Sequence, residues 1–111
     1  MNKNVKKRWL KAIRSGEFSQ CKGVLHSKND GGFCCLGVLC DIEIDGEWDD
    51  SVHDDMWYLY PDDGSKSLGY VPSAAHYAKW GLSTSQAQQL VGMNDGGESF
   101  EFIANWIEKN L

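Results

Sequence analysis

Residues 33–40, FCCLGVLC, are eight consecutive positions without a polar side chain. A run of this kind has no wet face, so the remainder of the chain must fold around it. Phe33 and Cys34 suit a strand end, whereas LGVLCDI lacks the alternation of a half-buried strand and reads as a short buried helix from Cys35 to about Ile42. Three of the four cysteines lie in this run. Free cysteine behaves as a small apolar side chain, so the expected role of Cys34, Cys35 and Cys40 is core packing beside Leu36, Val38 and Leu39. Neighbouring Cys34 and Cys35 pair only under strain, and Cys21 and Cys40 show no framework spacing, so free thiols are expected.

The chain of 111 residues, 41% apolar with five Trp, is long enough to bury one core without staples, which predicts a single domain over 1–111. No stretch approaches the roughly 18 apolar residues of a membrane span, and MNKNVKKRWL lacks the apolar middle of a secretory signal. A cytoplasmic protein with no membrane partner is expected.

The net charge of −5 conceals a polarity along the chain. Residues 1–28 carry Lys3, Lys6, Lys7, Arg8, Lys11, Arg14, Lys22 and Lys28 against Glu17 alone. Residues 41–63 carry ten Asp and Glu, with no Lys or Arg. Overall acidity argues against general nucleic-acid binding. The two blocks either face each other or serve separate partners, the basic one a small anion and the acidic one a basic protein.

Periodicity places the helices. Val5, Trp9, Ala12 and Ile13 predict a helix over about 3–15, stopped at Gly16, with Lys3, Lys7, Lys11 and Arg14 on its opposite face. Pro72 and Ser73 open a helix over about 73–79, with Gly81 past its end. Ser83 and Gln86 form a capping-box pattern for a helix from Thr84 to about Val91, before Gly92. Phe100, Ile103, Ala104, Ile107 and Leu111 stripe a terminal helix, with Asp95 and Glu98 placed as its capping pair. Asn29–Gly32 suits the turn of one β-hairpin, and MWYLY (56–60) with SLGYV (67–71) suggests a second. The acidic middle reads as loop with one or two edge strands. The expected class is α+β, a small domain of about four helices with one or two short antiparallel hairpins.

Candidate sites weaken on inspection of their spacing. Cys21, His26, Cys34, Cys35 and Cys40 lack the paired spacing of zinc ligands. DIEIDGEWDDSV begins like a calcium loop but ends in Val52 where a bidentate glutamate belongs. A nucleophilic thiol at Cys34 or Cys35, with His26 as its base, would gain from a helix N-terminus, yet the apolar surroundings push a thiol pKa upward. NDGGESF resembles a phosphate cradle, except that its own Asp95 and Glu98 occupy the positive end. No metal, cofactor or catalytic residue is therefore predicted. For a nucleotide-like anion, Arg14 and Lys22 beside glycines are the phosphate candidates, and Trp57 and Tyr58 are the stacking candidates.

RWLKAIRSGEFSQ, GGFCCLGVLCDI, VPSAAHYAKWGL and NDGGESFEFIANWIEKNL resemble a family of small proteins encoded by bacteriophages and prophages, and together cover about half of the chain. The resemblance implies no enzymatic chemistry or cofactor. It does imply an accessory role, often against host immunity, in the cytoplasm of the host bacterium. The first expectation is a non-enzymatic binding protein that sequesters a small anionic, nucleotide-derived immune signal, enclosed in a homo-oligomer. The second is an inhibitor of a host defence protein acting through the acidic 41–63 segment, and the third is a cysteine-dependent hydrolase.

Overall fold

In the computed structural model, which describes residues 1–49 and 55–111, Val5, Trp9 and Ile13 form the buried stripe of α1 (Lys3–Arg14). Asn2 caps it, its Oδ1 accepting from the amides of Asn4 and Val5. The apolar run becomes α2 (Cys35–Glu43), with every residue from Cys35 to Cys40 buried. Cys34 is its N-cap, the thiol sulfur accepting from the Gly37 amide at 3.2 Å. Trp9, fully enclosed, joins the two helices by donating its indole N–H to the Cys35 carbonyl at 2.9 Å.

The remaining helices are α3 (Ala74–Trp80), α4 (Thr84–Asp95) and α5 (Phe100–Asn110). α1 lies against α2 and α5, and α4 packs on α2, α3 and α5. One core runs through them, from Trp9, Leu25, Leu36 and Leu39 to Trp80, Leu90, Ile103 and Ile107. The class is α+β as expected, with five helices among the described residues. Among the described residues no helix is long and apolar enough to cross a membrane.

Two helix details differ from the sequence reading. α4 runs through Gly92 to Asp95, because continuing it buries Asn94 completely. The Asn94 Oδ1 accepts from Gln20 Nε2 (2.9 Å) and the Cys35 amide (3.2 Å), and its Nδ2 donates to the Cys21 carbonyl (2.8 Å). Asn94 thereby ties the 20–23 segment to the start of α2. The cap of α5 is Ser99, whose side chain accepts from the Phe102 amide, rather than the Asp95 and Glu98 pair. Asp95 instead accepts from the Gly23 amide at 2.9 Å.

The β structure also departs from expectation. The Asn29–Gly32 turn forms, but its arms meet only at the isolated bridge His26–Phe33. Likewise 56–60 meets 67–71 at the single bridge Leu59–Leu68, because the Trp57 amide, which a longer ladder would pair with Tyr70, donates instead to the His26 carbonyl at 2.9 Å. The ladder is made elsewhere: β1 (Gly46–Asp49), inside the acidic stretch, pairs antiparallel with β2 (Tyr58–Pro61). The calcium-like loop runs into residues 50–54 and so lies partly outside the described residues.

Candidate functional site

Strand register decides what the hairpin presents. Glu47 lies opposite Tyr60 and Asp49 opposite Tyr58, while Trp48 lies opposite Leu59 and Gly46 opposite Pro61. Successive side chains alternate faces, so Leu59, Pro61 and Trp48 turn inward and Glu47, Asp49, Tyr58 and Tyr60 share the outer face. Trp48 anchors the inner face through edge-on contacts with the rings of His26 and Phe33, at 5.1 and 5.8 Å between centroids. It also donates its indole N–H to Asp41 at 3.0 Å.

The outer face extends beyond the hairpin. The Tyr58 phenol is pushed up in pKa, first by desolvation and then by the neighbouring Tyr70, Tyr60 and Asp55, so these groups occupy one locale. Gly69 allows this approach, since a Cβ there would lie 2.7 Å from the Tyr58 ring. Tyr60, Tyr70 and Val71 are 40%, 58% and 48% exposed. The result is a surface of tyrosines bordered by exposed carboxylates. The other end of the hairpin opens on a cleft of about 340 Å³ lined by Glu43, Asp45, Asp62 and Asp63, with His76 and Lys79 on its far wall. There Asp63 is held below the usual carboxylate range by hydrogen bonds from Ser65, and His76 is lowered, chiefly by burial.

The basic and acidic blocks meet at Arg8, whose guanidinium makes a two-point pair with Glu43 at 2.7 Å. Asp41, Asp45, Glu47, Asp49, Asp55, Asp62 and Asp63 remain exposed. The acidic segment is thus a surface feature and not merely the counter-charge of α1.

The four ligand candidates fall in separate places. Arg14 reaches from α1 to α5, donating to Asn105 at 3.0 Å and pairing with Glu108 at 2.5 Å. Lys22 is exposed, with its ammonium near Gly97. Trp57 belongs to the half-buried aromatic group of His26, Phe33 and Trp48, with Lys28 Nζ 5.2 Å from its ring centroid. Tyr58 lies on the outer hairpin face. Glu47, Asp49 and Tyr60 were covered only as part of the acidic 41–63 segment and Tyr70 was not a candidate; the matching alternation of E-W-D and Y-L-Y was the available signal.

The thiols are free and inside the core, as their apolar context predicts. Burial pushes Cys21 up to about 11 and Cys34 up to about 12, outweighing the amide hydrogen bonds that favour the thiolate at Cys34. Cys35 and Cys40 are raised well above the ordinary value for the same reason. The His26 ring stacks on Phe33 at 3.8 Å and its Nδ1 donates to the Gly32 carbonyl, an arrangement that gives it no thiol to deprotonate. This geometry opposes the cysteine-hydrolase expectation. Among the described residues no three His, Cys, Asp or Glu side chains gather as metal ligands.

The chain belongs to the family described as domain of unknown function DUF8296, whose model matches residues 1–111. Comparison with curated proteins and with solved structures finds no match.

Proposed function

We propose that this is a non-enzymatic accessory binding protein that docks on a basic surface of a partner protein through Glu47, Asp49, Tyr58, Tyr60 and Tyr70. Following its resemblance to phage-encoded proteins, the partner is a host defence protein in the bacterial cytoplasm. The observation that carries the reading is the cross-strand register, which gathers two carboxylates and two tyrosines on one outward face. Tyrosine supplies large, stiff contact area at low entropic cost, and the surrounding carboxylates steer a basic partner and fix its orientation. One protomer presents the whole face, so the reading needs no homo-oligomer.

The nucleotide-sequestration reading keeps one favourable observation, the Lys28 ammonium over Trp57 beside His26. Against it, the cleft at the hairpin end is lined by none of Arg14, Lys22 and Trp57, and its carboxylates repel an anion. A dimer enclosing ligand would have to supply the missing burial.

Charge reversal separates the two. Glu47→Lys with Asp49→Lys is expected to abolish counter-defence activity in infected cells, while Arg14→Ala and Lys22→Ala retain it. Loss of activity in Arg14→Ala and Lys22→Ala with the reversal tolerated would replace docking by sequestration.

A further inference from the structure

The tyrosine face continues into a largely apolar region beside α4, reaching α3 on one side and the 23–24 segment on the other. Two depressions lie there, of about 270 and 220 Å³, and Val71 and Val91 form walls of both. The larger is completed by Tyr77 and Ala87, and Tyr70 lines the smaller. Small-molecule pockets typically run from roughly 300 to 1,000 Å³. Each depression falls below that range, which suits a single inserted side chain better than a free ligand.

We infer that these depressions are the apolar anchor sites for the docked partner, which presents a pair of apolar side chains on a basic segment. The inference rests on the docking reading above and names the chemistry of its partner. Continuity carries it: Tyr70 lines the smaller depression, and the residue before it, Gly69, packs directly against the Tyr58 ring of the carboxylate-bordered face. Charge selects the occupant. A second copy of this chain would bring a net charge of −5 and, in a two-fold contact, set its own Glu47 and Asp49 toward these. A basic segment meets the same border favourably, and its apolar pair fills the space that charge alone leaves open. The tyrosines then work as a rim that excludes water around the anchors.

The test uses the full chain and two synthetic peptides, one of lysines carrying two leucines and one with both leucines replaced by serine. Amide shifts are followed by NMR during titration. The expected result is that both peptides move the amides of Glu47, Asp49 and Tyr60, that only the leucine peptide moves those of Val71, Ala87 and Val91, and that it binds about tenfold or more tighter. Val71→Ser, at an exposed position, should lower the affinity of the leucine peptide toward that of the serine peptide. Equal affinities with silent 71, 87 and 91 amides overturn the anchor inference and leave docking standing. Silent hairpin amides with a responsive groove overturn docking instead, and silence at both overturns both. Self-association that Val71→Ser abolishes would assign the depressions to a second copy and also overturn the inference.

Discussion

Gly37, in the first turn of α2, gives opposite predictions from propensity and from packing. Alanine replaces glycine in a helix interior with a gain of about 1 kcal/mol, so local propensity alone has Gly37→Ala stabilise the protein. In the structure, a Cβ at Gly37 would lie 1.9 Å from the Leu25 carbonyl oxygen and 2.8 Å from its carbon, both backbone atoms. The segment and the helix must separate by about 1 Å before a tolerable contact is reached. That movement strains the hydrogen bond from the Cys34 amide to the same carbonyl, now 3.1 Å, and loosens the enclosure of Leu25 and Leu36. Overpacking costs about 1–3 kcal/mol and a weakened buried hydrogen bond about 1 kcal/mol more. Set against the propensity gain, the net loss is about 1–3 kcal/mol, a fall in Tm of roughly 5–20 °C. Gly92 is the control: it lies in α4, is exposed, and a Cβ there meets nothing within 4 Å, so Gly92→Ala should stabilise by up to about 1 kcal/mol. Urea unfolding followed by fluorescence of the buried Trp9 and Trp80 reads both. A Gly37→Ala protein as stable as Gly92→Ala would refute the close approach of α2 to Leu25.

Other expectations concern the buried polar hub, the thiols and the surface charges. Asn94→Ala removes the partners of the Cys35 amide and the Cys21 carbonyl inside the core, and should cost about 3 kcal/mol in chemical denaturation; a loss below about 1 kcal/mol would contradict the hub. Ellman's reagent should label no cysteine of the native protein at neutral pH and all four after unfolding. Because folding raises Cys21 from 9.0 to about 11 and Cys34 from 9.0 to about 12, their contribution to stability is complete below pH 9 and lost as pH rises through 11 and 12. Urea midpoints should therefore hold steady on the neutral side and fall between pH 9 and 12. Arg14→Ala breaks an exposed pair with Glu108 and should cost about 1 kcal/mol or less, with salt reducing the difference from wild type.

The elements with strong periodicity were legible in the sequence, and those made by long-range pairing were not. Val5, Trp9 and Ile13 mark α1, and Ile103, Ala104 and Ile107 mark α5, through spacing alone. Ser83 and Gln86 form the capping box that their order suggests. An edge strand was expected in the acidic middle, but the place of β1 was not given, because its single large apolar residue, Trp48, is flanked by Glu47 and Asp49 in a run that resembles a solvated loop. Its partner β2 was visible as MWYLY, but which segment it pairs with depends on tertiary bonds such as that from the Trp57 amide to the His26 carbonyl, which no local pattern encodes. α4 overran its expected end since Asn94 gains more from its tertiary hydrogen bonds than Gly92 loses in propensity. Tyr58 was recognised as a surface ring, whereas its companions Glu47, Asp49, Tyr60 and Tyr70 become neighbours only once the register is known.

The most direct test of the docking face is a photo-crosslinking residue placed at Tyr60, compared with the same residue at Phe102, which is exposed on α5. In infected cells the Tyr60 position should yield one salt-sensitive adduct with a basic host protein, and the Phe102 position should yield none. An adduct at Phe102 alone, or no adduct together with a nucleotide retained in the native mass spectrum, would contradict the account.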